Sequence, residues 1–477
     1  MLRRDVAALA GREHDVLVVG GGIHGAAAAW EAASRNLSVA LIEAEDFGGG
    51  TSWNSLKTIH GGLRHLQRLD IAGLRESARE RRALLAIAPD LVRPLAFLAL
   101  ADGARDRALL RAGLAATDLL TVDRDRGLRS DRRLPRGRVL SREETLARVP
   151  GLGGDGAGAG LWWDAQVESS ERLLLALLHA AAGAGAMVAN RMQAVSLLRD
   201  GAGVRGVAAR DGLTGQPLQI RARMTINASG PAADALVRGA GLSGVAVPQL
   251  RAVNLVLRRA VVRDVAVGAR HAGRYLFCVP WRDRSIVGTA YAPEATSGRE
   301  LAAAFLAEAA RAFPWAALSA ADVALVHEGR VPGGPEGLWT RSRVIDHADD
   351  GVRGLLTLVA VKYTTARAVA ESAIGHVLHR LGRPPVASRT AVTALPEART
   401  LAGTLEERTR HAVREEMALS LGDAVLRRLD LGTAGAPAAA DVDVVARVMA
   451  EELGWDLARA AEERAALAAF YEERRIE

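Results

Sequence analysis

Apolar positions along the chain fall into three regimes. Residues 15–20 and 38–42 are short β-branched runs without polar alternation, the pattern of strands buried on both faces. Residues 23–35 between them follow a helical period. Similar elements return later: strand 161–164, helix 169–182, strand 187–198, and a hairpin of 204–210 with 218–223 around Asp211-Gly212. A strand over 355–360, a loop over 361–365 and a helix over 366–381 follow much further on. Between these lie an amphipathic helix over 72–88 closed by Pro89, a helix over 108–120, a short helix opened by the capping box Ser141-Arg142-Glu143-Glu144, and a glycine-rich loop over 151–160. The second regime, 245–345, is strand-rich (251–258, 275–280, 285–290, 322–327) with one helix near 300–313. The third, 403–477, is helical, with 408–428 its strongest segment, and follows a linker over 383–396. The expected class is α/β with a mixed sheet, then a small all-α unit.

The first strand runs directly into Gly20-x-Gly22-x-x-Gly25. Gly20 makes the tight turn, Gly22 lets backbone approach a pyrophosphate, and Gly25 lets helix and strand pack closely. Ile23 opens the helix, whose free N–H groups and positive dipole end face the phosphates. Glu43 ends the second strand, where a carboxylate binds ribose hydroxyls. A lone GxGxxG is a weak signal. Strand before, helix after and the acidic residue in place make this a dinucleotide-binding βαβ unit.

Composition narrows the partners. The chain has 477 residues, enough for two or three domains, and a net charge of +7. That balance suits nucleic acid, an anionic membrane surface or an anionic substrate. Aromatics are only 4% and are not interleaved with the arginines, so nucleic acid is set aside. Residues 101–150, with twelve basic and eight acidic side chains, read as a solvated face, the sharper alternative being a patch for lipid headgroups. A single cysteine, Cys278, excludes an intrachain disulfide and fits a reducing cytoplasm. Neither zinc-ligand spacing nor a run of eighteen apolar residues occurs, so no metal and no membrane span are expected. Of 62 Lys plus Arg, only Lys57 and Lys362 are lysine. A compact, titratable ammonium retained at two positions marks sites where a guanidinium will not serve.

The stretch Thr51-Ser52-x-x-Ser55-x-Lys57-x-Ile59-His60-Gly61-Gly62-Leu63-Arg64 is not typical of NAD dehydrogenases. It resembles the FAD-dependent glycerol-3-phosphate dehydrogenases of the D-amino-acid-oxidase-like superfamily. The similarity continues through Arg75-Glu76-Ser77-x-x-Glu80-Arg81-x-x-Leu84-Leu85-x-x-Ala88-Pro89 and recurs later over nearly the whole chain. The resemblance implies FAD held by Gly20, Gly22, Ile23, Gly25, Glu43, Thr51, Ser52, Ser55, Lys57, His60, Gly61, Gly62, Ala228, Gly230, Lys362 and Thr364. It implies a Rossmann-like FAD-binding domain (about 12–75, 155–235 and 345–385) interleaved with a substrate domain (about 76–154 and 236–344), together spanning 1–390. A helical C-terminal domain over 391–477 follows.

Alcohol oxidation by a flavin needs a proton acceptor and positive charge near the reduced ring, and a phosphorylated substrate adds an anion clamp. Catalytic candidates are Lys362, Arg64, Arg330, His65 and Asn254. Several positions depart from the family pattern. His65 stands where the family has Tyr, Asn254 where it has His, and Gly329-Arg330-Val331-Pro332 where it has Gly-Val-Arg-Pro. Val361-Lys362-Tyr363-Thr364-Thr365 replaces Gly-Lys-Leu-Thr-Thr, and Gly288-Thr289-Ala290-Tyr291 replaces Gly-Thr-Thr-Asp. His65 is a candidate substitute acid/base, since imidazole titrates near ~6.5.

Three functions follow: oxidation of glycerol 3-phosphate to dihydroxyacetone phosphate with electrons passed to a quinone; oxidation of another small hydroxy or amino acid, with oxygen as an alternative acceptor; or a flavin-binding homologue without catalysis. The expected setting is cytoplasmic and peripheral at the inner face of the membrane. Oligomeric state is open, a homodimer included, as is covalent attachment of FAD through His60 or Cys278.

Overall fold

The computed structural model describes every residue except 67, 153–157, 202, 397–401 and 477. The expected glycine-rich loop therefore lies, at 153–157, outside the described residues.

The two early apolar runs are the strands Glu13–Val19 and Val39–Ile42, paired in parallel. The helix Ile23–Ser34 buries eleven of its 12 residues. It packs against the helices Ser170–Gly183 and Ala366–Arg380. Such a crowded position admits mainly small side chains, hence its alanines. The strand order is Arg343–Asp346, Leu355–Val359, Pro217–Asn227, Glu13–Val19, Val39–Ile42, Met187–Ala189. All neighbours run parallel except the first pair. The segments Gly20–Gly25, Glu43, Ala228–Gly230 and Lys362–Thr365 each follow the carboxyl end of a parallel strand. They therefore meet at one edge, where ligands of open α/β sheets bind.

A ten-stranded mixed sheet forms the second layer. Its strands include Gln249–Leu257, Val265–His271, Arg274–Trp281, Arg284–Pro293 and Val323–Gly334. Its apolar outer face is covered by the helix Gly298–Ala312. Val92–Leu100, unassigned from sequence, lies in this sheet between Val265–His271 and Ala159–Val167. Thr58–Ile59 and Ala159–Val167 also belong to it. Segments 12–75 and 155–235, expected in the nucleotide unit, thus each contribute strands to both sheets.

Two expected elements are broken. Strand 187–198 divides at Arg191, whose φ of 52° is left-handed, into Met187–Ala189 and Met192–Asp200. Helix 408–428 divides at Met417 (φ 54°) into Leu405–Glu416 and a π-turn, Asp423–Arg428. Between them Asp423 accepts the Leu419 and Ser420 N–H groups and pairs with Arg191 and Arg427. Tertiary charge pairing there overrides helix propensity. The same turn carries Arg427 and Arg428 onto buried Asp46 of the nucleotide unit. Burial would raise the Asp46 carboxyl, but Arg428 and Arg427 hold it well below the usual range.

Candidate active site

At the sheet edge, the glycine loop has no room for side chains. A Cβ on Gly20 would lie 2.6 Å from the Ala228 carbonyl oxygen, and one on Gly25 would collide with the Gly20 carbonyl. The helix cap at Gly22 offers no side-chain acceptor, which leaves the helix N-terminus to backbone donors. Ser52 Oγ accepts the Ile23 N–H at 3.0 Å and so pins the following loop to that terminus. Glu43 accepts the Gly21 and Glu45 N–H groups at 2.6 and 3.0 Å. Burial raises its carboxyl above the usual range, and those donors oppose the shift. A backbone donor cradle beside a carboxylate fits the pyrophosphate and ribose of a dinucleotide.

The other motif residues divide by role. Thr51 Oγ bonds the Arg330 backbone and ties the loop to the mixed sheet. Ser55 Oγ accepts the Lys57 N–H within a local turn. Gly61 N–H donates to Asp164 at 2.7 Å, and the Arg81 guanidinium fills the space a Cβ would need. Gly62, at φ 89°, turns the chain against Leu74 and Ser77. His60 is half-exposed between Thr58 and Asp164, and its N–H reaches Thr364 Oγ at 3.3 Å. Gly230, also left-handed at φ 58°, follows Ala228 at the same edge.

Lys57, expected among the cofactor contacts, has partners within the protein. Its ammonium is fully buried and donates to Trp53 O (2.9 Å), Ser170 Oγ (2.7 Å) and Glu171 Oε1 (2.7 Å). Three donors meet three acceptors, leaving none to direct at a cofactor. Its retention is explained by a buried ion pair that a planar guanidinium would not fit.

Lys362, by contrast, contacts another site residue. Its Nζ donates to His65 Nε2, while His65 Nδ1 bonds Asp70 Oδ2 at 2.8 Å. Asp70 also takes the Gly73 N–H and the Arg341 guanidinium. Burial, then the Arg64 charge, brings Lys362 down to about 8. His65 is lowered by burial and by Lys362, against the pull of Asp70. Asp70 falls to about 2, chiefly through Arg341 and the Gly73 N–H. The charges of Arg64 and Arg341 thus both act on the ammonium, and both side chains are exposed. Arg341 and Asp70 were not singled out from sequence.

Arg330, a catalytic candidate from sequence, has a different partner. It pairs with Glu294 at 3.2 Å and sits opposite Arg251 in the strand register. Alternation along the strand places it on the face of Arg251 and Glu328, opposite that of Asn254. The exchanged order in Gly329-Arg330-Val331-Pro332 thus points Val331, not arginine, toward the Asn254 side. Asn254 is buried and accepts the Thr289 hydroxyl at 2.7 Å. No hydrogen bond joins it to Lys362 or His65 among the described residues. Cys278 lies in the apolar core of the mixed sheet, its thiol pushed up to about 12 by burial.

Comparison with known proteins bears on this arrangement. Residues 15–372 match the family described as FAD dependent oxidoreductase, and 359–460 match the C-terminal domain of alpha-glycerophosphate oxidase. Glycerol-3-phosphate dehydrogenase of Synechocystis sp. is 32% identical over 427 residues, covering 82% of this chain and 75% of the relative. The chain belongs to the FAD-dependent glycerol-3-phosphate dehydrogenase family. The Mycobacterium leprae member is 34% identical over 377 residues, 76% of this chain and 62% of that protein, so the chain spans less than two thirds of some relatives. The fold of the Bacillus halodurans glycerol-3-phosphate dehydrogenase, solved with FAD, superposes with a TM-score of 0.74 at 21% identity, covering 98% of this chain and 96% of that one. As a member of the family, the protein is an FAD-dependent oxidoreductase. No described helix is long and apolar enough to cross a membrane, and no described cluster of His, Cys, Asp and Glu could hold a metal.

Proposed function

We propose that this family member oxidises sn-glycerol 3-phosphate to dihydroxyacetone phosphate and passes the electrons to a quinone. The observation that carries the reading is Lys362 at the sheet edge, bonded to His65 and acted on by the charges of Arg64 and of Arg341, the latter held on Asp70. Forked guanidiniums suit a phosphate, and a lysine held near 8 suits proton exchange with a hydroxyl.

FAD, when bound, supplies a two-electron acceptor for the hydride of the carbinol C–H. Gly20, Gly22, Ile23, Gly25, Glu43, Ser52, Ala228 and Gly230 would hold its nucleotide portion. His60, Gly61, Gly62 and Thr364 would line the side nearer the substrate. Arg64 and Arg341 bind the phosphate, and neutral Lys362 Nζ takes the hydroxyl proton. The resulting ammonium then offsets negative charge gained on reduction.

Asn254, standing where the family carries His, favours a second reading: oxidation of another small hydroxy or amino acid. Anaerobic titration of the holoenzyme with glycerol 3-phosphate, glycerol, lactate and small amino acids separates the two. Bleaching of the flavin band by glycerol 3-phosphate alone supports the first; bleaching only by an unphosphorylated compound supports the second.

The proposed setting is cytoplasmic, peripheral to the inner membrane face through the basic balance of the chain. Binding to anionic vesicles should then weaken with salt, since exposed charges are screened beyond about 8–10 Å at physiological ionic strength.

A further inference from the structure

We infer that Asp70 and His65 form a proton relay behind Lys362, in which Asp70 holds His65 as its Nδ1–H tautomer and His65 Nε2 takes protons from Lys362 Nζ. The inference rests on the reading of Lys362 as the substrate-facing base.

The geometry fixes each role. Asp70 is held by other donors: Oδ1 accepts the Gly73 N–H at 3.0 Å and the Arg341 guanidinium. That leaves Oδ2 aimed at His65 Nδ1, 2.8 Å away. A carboxylate only accepts, so Nδ1 carries the hydrogen and Nε2 presents a lone pair. The atom it meets is Lys362 Nζ, which as an ammonium only donates. The contact therefore runs from ammonium to imidazole, with a carboxylate behind, the order that stabilises an imidazolium.

Surrounding charges permit the transfer. Groups facing Lys362 are Arg64 and His65 from the short helix Leu63–Leu66, Asp70 and Glu76 at and within the helix Ile71–Ile87, and Arg341 before the strand Arg343–Asp346. Two guanidiniums balance two carboxylates, and a proton moving from Nζ to Nε2 leaves the net charge unchanged. The step balances. The substrate hydroxyl proton goes to Nζ, the C–H hydrogen and its electron pair go to oxidised FAD, and one proton passes from Nζ to Nε2. Asp70 is thus a positioning residue for the reaction.

The test uses the lysine count. Lys57 is fully buried and Lys362 is not, so competitive acetylation of the holoenzyme with acetic anhydride, read by peptide mass spectrometry, titrates Lys362 directly. Asp70→Asn keeps the helix cap, because Asn caps as well as Asp, but removes the charge. The expected half-point is near pH 8 in wild type. In Asp70→Asn it falls by roughly half a unit or more, as for loss of a nearby opposite charge. The acid limb of flavin reduction by glycerol 3-phosphate should move the same way, with FAD absorbance unchanged. His65→Phe leaves the cap intact and removes the acceptor, so it should also lower the half-point. Should Asp70→Asn fail to fold, this variant decides. Unmoved half-points and unmoved acid limbs overturn the relay. Labelling needs no substrate, so a lowered half-point in an enzyme inert to glycerol 3-phosphate sinks the substrate reading and leaves the relay standing.

Discussion

Replacing Lys57 with Met tests whether that lysine serves the fold or the flavin. The substitution removes hydrogen bonds to Trp53 O, Ser170 Oγ and Glu171 Oε1 at 2.9, 2.7 and 2.7 Å. It leaves the Glu171 carboxylate, also buried, without its cation. In the intact protein, burial pushes that carboxyl up while Lys57 pulls it below the usual range. Stranding a buried charge in this way costs about 3–5 kcal/mol. The melting temperature of the holoenzyme should therefore fall by roughly 3–5 °C, since a chain of this length unfolds with an entropy of about 1 kcal/mol per kelvin. Glu171→Gln added to Lys57→Met should restore most of the loss, because the neutral amide needs no counter-charge. Thermal unfolding followed by circular dichroism and by release of flavin fluorescence measures both. Folded Lys57→Met should still be reduced at the wild-type rate. A variant that melts with wild type but fails to hold or reduce FAD would refute the structural assignment.

Gly25→Val should abolish FAD binding or folding, read as loss of yellow colour, since its side chain meets the Gly20 carbonyl. Lys362→Met should retain FAD yet slow its reduction on the order of 10²-fold in stopped-flow, as for loss of one preorganised electrostatic group. Arg341→Ala should raise KM more than it lowers kcat, whereas Arg330→Ala, on the other sheet face, should leave both near wild type. The wild-type reduction rate should climb as pH rises through about 8, because Lys362 must lose its proton before it can accept one.

Sequence made the nucleotide unit legible because its signals are local. The apolar runs, the spacing of Gly20, Gly22 and Gly25, and Glu43 all lie within one short βαβ stretch, and each maps to the expected element. Val92–Leu100 went unassigned because it carries Pro94 and pairs with strands far along the chain. Breaks at Arg191 and Met417 depend on charge pairing with distant partners, which periodicity does not encode. The site was half legible. Lys362 stood out by rarity and His65 by departure from a motif; rarity also marked Lys57, whose ammonium lies in a buried ion pair. Arg330 was chosen by motif, and a two-residue exchange in an alternating strand reverses the face it occupies. Arg341 and Asp70 become visible only when residues some 270 positions apart are brought together.

Anaerobic stopped-flow mixing of the oxidised holoenzyme with sn-glycerol 3-phosphate tests the central claim most directly. Saturable loss of the flavin absorbance with formation of dihydroxyacetone phosphate is the expected result. A flavin that stays oxidised with glycerol 3-phosphate, or that bleaches only with an unphosphorylated hydroxy or amino acid, would contradict it.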